Sequence, residues 1–268
     1  MKKRLEIAKI AAKKAGEIQL QNFGNDHKKD HKSATDFATE VDYQCEEEII
    51  KTIKEVFPDD NILAEESGKE SGSSEYVWVI DPLDGTVNYA HGLYQFCTII
   101  GLYNKKNEQT ELGVIYIPIA DELYTAIKGG GAFMNGEQIS VSSARQMKEG
   151  FLTLGSYYRT YERERDEEKK NLLSQIEIEE EHRKAFLRVR ILGSAGVDIA
   201  HVARGATEAH LCFGTKPWDN IGSSIILEEA GGKVVDNNAE KITLDSRGII
   251  GSNNHIFEEF ISLIKRKK

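Results

Sequence analysis

The hydrophobic period of this chain changes twice, and those two changes limit the folds open to it. Near the N-terminus, apolar side chains recur at three- and four-residue steps. Leu5, Ala8, Ala12, Ala15 and Ile18 form one stripe, which stops near Gly24. Val41, Cys45, Ile49 and Ile53 form a second, after Thr39, a suitable helix N-cap. Both helices read as packing elements. After Pro58, short runs rich in β-formers take over, at 61–65, 76–81, 96–103, 113–119, 123–127 and 132–134. Gly129-Gly130-Gly131 reads as a hairpin turn rather than a phosphate cradle, because no helix start or Lys follows it. From about residue 150 the two kinds of segment alternate. Strands are expected at 151–154, 188–192, 208–213, 233–236 and 249–251, and helices at 161–176, 195–203, 219–230 and 255–265.

The expectation is an α+β half, an antiparallel meander over about 60–141 laid against two helices, followed by an α/β half. The boundary falls between 1–145 and 146–268. The charge-dense run 162–184 reads as a solvated face, and the basic end 265–268 as a solvated helix end. A 40% hydrophobic composition supports a real core. With 35 basic and 44 acidic residues the net charge is −9, which repels phosphate backbones and argues against nucleic acid as a partner. Three scattered cysteines without CxxC spacing exclude a disulfide framework and fit a reducing, cytoplasmic compartment. Glu6, Lys9, Lys13 and Lys14 break any signal-peptide core, and no apolar run approaches the length of a membrane span.

Carboxylates fall at the ends of the strands. Glu65 and Glu66 close one run. Asp81 closes the next, and Asp84 follows in Asp81-Pro82-Leu83-Asp84-Gly85-Thr86. Pro82 confines Asp81 to extended backbone, and Gly85 permits a sharp turn. Two carboxylates on one tight loop repel unless a cation lies between them. The loop offers oxygen and neither His nor Cys, so that cation would be hard: Mg²⁺ first, with Mn²⁺ or Ca²⁺ behind. A plain Asx turn would explain the same string. Likewise Asp219, opening Asp219-Asn220-Ile221-Gly222-Ser223-Ser224, reads equally as an N-cap or a ligand. Thr86 and Asn88 add neutral polar groups to the first loop, Asn88 as a turn residue. Cys45 and Cys97 read as core. No G-x-S-x-G, Walker or dinucleotide-binding glycine pattern occurs.

The string Asp81-Pro82-Leu83-Asp84-Gly85-Thr86-Val87-Asn88-Tyr89 resembles the first signature of the inositol monophosphatase family, Mg²⁺-dependent, lithium-sensitive phosphomonoesterases. Pro217-Trp218-Asp219-Asn220-Ile221-Gly222-Ser223, closed by Glu229-Ala230-Gly231-Gly232, resembles its second. Ala64-Glu65-Glu66-Ser67 is similar to its metal-binding glutamate element. Thr39-Glu40-Val41-Asp42 is similar to its upstream threonine and aspartate, and Gly193-Ser194-Ala195 to its phosphate-side element. The likeness spans about residues 5–260, in family order.

This resemblance implies a layered α-β-α-β-α sandwich and a homodimer. It implies one Mg²⁺ on Glu65, Asp81 and the Leu83 carbonyl and a second on Asp81, Asp84 and Asp219. The family pattern allows a third, weaker ion near Glu65. A water oriented by Glu65 and Thr86, with Asp42 supporting Thr86, would attack phosphorus. Backbone N–H groups of Gly85 and Thr86, with Ser194 and Ala195, would hold the phosphate. The implied substrates are inositol monophosphate and related polyol or sugar phosphates. Alternatives on the same scaffold are fructose 1,6-bisphosphate, NADP, 3′-phosphoadenosine 5′-phosphate, or a regulatory binding role. Val87-Asn88-Tyr89 is the inositol-type ending, which ranks the adenosine-bisphosphate branch low. Inositol-specific members carry a glutamate seven residues before the second-signature aspartate; here that position is Cys212. Lys216 and Arg190 are the candidate contacts to a further anionic group.

Overall fold

The computed structural model describes residues 1–32, 37–155 and 183–265. Helix α1 (Lys2–Asn22) is followed by a small antiparallel pair, β1 (Lys29–His31) and β2 (Phe37–Thr39), and by α2 (Glu40–Lys54). Thr39 is the N-cap read from the sequence. Its hydroxyl accepts from Val41 N, and its own N–H donates to Asp42 Oδ2 at 2.8 Å. Then come β3 (Asn61–Ala64), β4 (Gly68–Glu70), β5 (Tyr76–Asp84), the short α3 (Thr86–Ala90), β6 (Cys97–Asn104), β7 (Gln109–Ile117), β8 (Glu122–Ile127), β9 (Ala132–Met134) and β10 (Glu137–Ile139).

Strands β3–β10 make an eight-stranded sheet in the order β10-β9-β8-β7-β6-β5-β3-β4. From β5 to β10 it is the expected antiparallel meander. It departs from that expectation at β3, which runs parallel to β5. The polar β4, which has no apolar alternation to betray it, turns back along β3 at the sheet edge, so the chain enters β5 from the same end as β3. Strand β7 stops at Ile117, two residues short of the sequence reading, because Pro118 cannot donate to the ladder.

The second half contributes β11 (Phe151–Leu154), β12 (Arg188–Arg190), α4 (Ala195–Ala203), β13 (Ala209–Cys212), α5 (Pro217–Glu229), β14 (Gly232–Val235), β15 (Ile249–Asn253) and α6 (Phe257–Lys265). Its sheet runs β12-β11-β13-β15-β14; the first three strands are parallel, and β15 is antiparallel to both neighbours. The helix expected at 161–176 lies outside the described residues.

Strand period 2 divides the apolar residues into three cores. Ile80 and Ile100 face α1 and α2, where Ala8, Ala12 and Ile49 are buried. Ile99 and Ile115 face the other way, against Val197 of α4 and Ile225 of α5. Beyond those helices the second sheet turns Leu152, Leu211 and Ile250 toward Phe260 and Ile264 of α6. The layers are therefore α-β-α-β-α. Close packing of α5 on the first sheet relies on absent side chains: a Cβ at Gly101 would lie 2.7 Å from Gly222 N. Gly129-Gly130-Gly131 is a turn, as read, and the amides of Gly129 and Gly131 both donate to the Glu229 carboxylate at 2.7 Å.

Candidate active site

Strand β5 ends at a crossroads. Its last residues carry Asp81 and Asp84, and the N-termini of α3, α4 and α5 point toward them. Together they line a cavity of about 530 Å³. Gly85 makes the turn out of β5 with φ of 90°, a left-handed conformation suited to glycine. Gln95 O also lies 2.6 Å from where its Cβ would be, so a side chain would be excluded twice over.

Carboxylate oxygens of Asp81, Asp84 and Asp219 lie within 4.8 Å of one another, and all three residues are buried. A protein donor fixes one oxygen of each. Leu83 N donates to Asp81 Oδ1 at 3.1 Å. Ser194 Oγ and Gly196 N donate to Asp84 Oδ2 at 2.6 and 2.7 Å. Lys216 N donates to Asp219 Oδ2 at 2.6 Å. The helix begins two residues earlier than the sequence suggests, so Asp219 is the third residue of α5 rather than its N-cap; its carboxylate accepts from the N-cap amide and is also a member of the cluster. Burial, reinforced by the charges of Glu65, Asp84 and Asp219, pushes the Asp81 carboxyl well above the usual range. Fixed anions held this close, offering only oxygen, fit a hard divalent cation.

Glu65 lines the same cavity from the end of β3. Lys32 Nζ lies 3.1 Å from Glu65 Oε1 and 2.6 Å from Glu66 Oε1. Thr86 Oγ1 reaches Asp42 Oδ1 at 2.8 Å and the Leu83 carbonyl at 2.9 Å. Asp42 also accepts both the N–H and the hydroxyl of Thr39. Burial raises its pKa, against the lowering effect of those hydrogen bonds.

Of the substrate contacts expected from the sequence, Leu83, Asp84, Gly85, Thr86, Ser194, Ala195, Cys212 and Asp219 all line the cavity. Arg190 and Lys216 are not among its lining residues. Arg190 pairs with Thr153 on edge strand β12, and its guanidinium lies over the Phe151 ring, 5.3 Å from the centroid. Lys216 is the N-cap of α5, and its backbone serves Asp219. Asn88 is structural, as read: its amide donates to the Gln95 and Leu192 carbonyls, both at 2.7 Å, tying α3 to the loop before α4. Cys45 and Cys97 are buried, though Cys97 Sγ also reaches Asp84 Oδ2 at 3.6 Å.

The helices read as packing elements do more than pack. Gln19 of α1, fully buried, donates to the Pro82 carbonyl at 2.8 Å and to Thr98 Oγ1 at 2.9 Å, so α1 holds the acidic loop directly. Glu46 of α2 accepts from the amides of Glu66 and Ser67. In the sequence each merely adjoins a residue of its helix's apolar stripe, Gln19 after Ile18 and Glu46 after Cys45.

Comparison with known proteins agrees with this geometry. A model of the inositol monophosphatase family matches residues 1–268. An inositol monophosphatase of Dictyostelium discoideum is 35% identical over 272 residues, covering 98% of this chain and 95% of its own. A fructose-1,6-bisphosphatase/inositol-1-monophosphatase of Aquifex aeolicus is 37% identical over 234 residues, covering 87% and 85%. The solved structure of a Thermotoga maritima IMPase superposes with a TM-score of 0.87 at 32% identity, covering 99% of this chain and 98% of that one.

Proposed function

The chain belongs to the inositol monophosphatase family and is a phosphatase, and we propose that it is a Mg²⁺-dependent phosphomonoesterase acting on inositol monophosphate and related polyol or sugar phosphates. The buried cluster of Asp81, Asp84 and Asp219 at the cavity, with Glu65 on its wall, carries this reading.

In this reading Glu65, Asp81 and the Leu83 carbonyl hold one Mg²⁺, and Asp81, Asp84 and Asp219 a second, with a third, weaker site near Glu65 and with Mn²⁺ able to substitute. Bound divalent cations supply Lewis acidity and charge neutralisation to the phosphoryl group, the attacking water and the leaving oxygen. The protein's own groups do the positioning. Glu65 and Thr86 orient the water. Thr86 Oγ1, whose proton is directed to Asp42 and Leu83 O, keeps a lone pair for a water proton, and Asp42 can take that proton onward. The amides at Gly85, Thr86 and Ala195, at the starts of α3 and α4, would hold the phosphate. The new P–O bond would form as the ester P–O bond breaks, and the departing alkoxide would take a proton from a solvent water to leave as alcohol.

The Aquifex relative carries both activities in its name, so fructose 1,6-bisphosphate belongs in the proposed range. We further propose inhibition by millimolar Li⁺, a homodimer, and a cytoplasmic location; no helix among the described residues is long and apolar enough to cross a membrane.

The test is a phosphate-release assay on purified protein across a panel of phosphomonoesters, with Mg²⁺, with chelator and with Li⁺. Hydrolysis of inositol 1-phosphate that stops in chelator and returns with Mg²⁺ is expected. Chelator-resistant hydrolysis overturns the metal assignment, and indifference to Li⁺ counts against an inositol-type enzyme. Light scattering tests the dimer, and a single 30.1 kDa species overturns it.

A further inference from the structure

Helix α2 carries two buried carboxylates one turn apart, and each grips a different loop of the site. Asp42 takes the Thr86 hydroxyl from the loop after β5. Glu46, four residues later and so on the same helix face, is 3% exposed. Its Oε2 accepts from Glu66 N at 2.9 Å and its Oε1 from Ser67 N at 2.7 Å. Both oxygens are therefore occupied by the two consecutive amides that follow Glu65. Glu65 N itself donates to the Ile80 carbonyl at 3.2 Å, next to Asp81.

These contacts hold the backbone on both sides of Glu65. The peptide planes after it are oriented by Glu46, and its own amide is tied to β5. Lys32 pairs with both side chains, but Glu65 lines the cavity while the Glu66 side chain is almost fully buried.

We infer that Glu46 is a positioning residue that sets where Glu65 stands relative to Asp81, acting through the backbone and touching neither cation nor substrate. Helix α2 is then a rigid spacer that registers the turn at 65–67 against the loop at 84–86. A carboxylate suits this role because it accepts from two amides at once. A glutamine would turn its NH₂ toward one amide N–H, donor against donor, and loosen the turn. Loss of a partner that orients a metal ligand weakens metal binding by about 10- to 100-fold.

The inference rests on the reading that Glu65 holds a divalent cation, and the experiment separates the two. Mg²⁺ binding is measured by calorimetry on wild type, Glu46→Gln, Glu65→Gln and the double variant, with thermal unfolding in chelator alongside. Weaker binding in Glu65→Gln tests the reading alone; equal binding in Glu65→Gln and wild type overturns both. Glu46→Gln should bind Mg²⁺ about 10-fold or more weakly than wild type, and should change nothing further in the Glu65→Gln background. That loss of effect is one a merely structural role would not show. Wild-type affinity in Glu46→Gln, or an equal loss in both backgrounds, overturns the positioning role. Should Glu46→Gln fail to fold, Glu46→Asp keeps the charge and draws it back by one methylene. Weakened binding with Glu65 present and none further without it supports the role; wild-type affinity overturns it.

Discussion

Ser194 Oγ donates to Asp84 Oδ2 at 2.6 Å across 110 positions of sequence, so a hydroxyl at the start of α4 in the second half of the chain fixes a carboxylate at the end of β5 in the first. Gly196 N bonds the same oxygen. Ser194→Ala removes one of these donors and the α4 cap. Turnover should fall about 10- to 100-fold, as for other groups that orient a metal ligand. Stability should fall by about 1 kcal/mol for the lost cap. Steady-state kinetics at saturating Mg²⁺ with a melting curve checks both; wild-type turnover would show that the remaining contacts, Gly196 N and Cys97 Sγ, suffice.

Asp81 is buried near four other carboxylates, those of Glu65, Asp84, Asp219 and Asp42, and their repulsion opposes folding until a cation neutralises it. Mg²⁺ at about 100 times its Kd should add about 2.7 kcal/mol of stability, a rise in Tm of about 5 to 10 °C. Asp81→Asn should lose that rise and, in chelator, melt no lower than wild type. A chelated Asp81→Asn protein that melts well below wild type would mean that Asp81 supports the fold rather than straining it.

Much of this was legible in the sequence because the signals were local. The two helix stripes, the meander and the acidic turn each lie within a few residues of one another, and the turn chemistry of Pro82 and Gly85 fixes how Asp81 and Asp84 are presented. Strand β4 was invisible because Gly68-Lys69-Glu70 has no alternation; its pairing with β3 is dictated by the edge it covers. The roles of Gln19 and Glu46 were missed because each depends on a partner far along the chain, Pro82 for one and the 66–67 amides for the other. Arg190 was expected at the site from its nearness in sequence to Ser194, but strand register carries it onto Phe151.

Asp198 and His210 form a buried pair, with His210 Nδ1 3.4 Å from Asp198 Oδ2. Burial, then the charge of Asp84, pushes Asp198 well above the usual carboxylate range, and burial holds His210 down to about 3. Folded, the pair keeps one proton, on Asp198. Unfolded, with pKa values of about 3.9 and 6.5, it binds two protons below about 4, one in between and none above 6.5. Its contribution is therefore flat between about 4 and 6.5. Above 6.5 the folded state holds the extra proton, so stability falls as pH rises until Asp198 ionises. Asp198→Asn cannot take up that proton. Its Tm should decline less steeply than that of wild type as pH rises above about 6.5; parallel curves would mean that Asp198 is already charged in the native state.

Substrate breadth should follow from Cys212. It ends β13, lines the cavity and packs directly over Gly155, which has no side chain to intervene. Where the family resemblance implies a glutamate in inositol-specific members, this chain presents a thiol, a weak acceptor. A charge-assisted hydrogen bond to a ring hydroxyl is worth about 1.5–3 kcal/mol, and its absence removes that much discrimination between polyols. In the proposed function, the cations held by the carboxylate cluster would engage the phosphate, which every monoester shares, so turnover itself should survive. Inositol 1-phosphate, glycerol 2-phosphate, sugar phosphates and fructose 1,6-bisphosphate should therefore be hydrolysed with kcat/KM values within about 10²-fold of one another. Cys212→Glu should shift the ranking toward inositol 1-phosphate, chiefly through KM. Rate measurements on that panel for both proteins decide it. A wild-type enzyme confined to inositol 1-phosphate would mean that other groups at the cavity supply the selectivity Cys212 lacks.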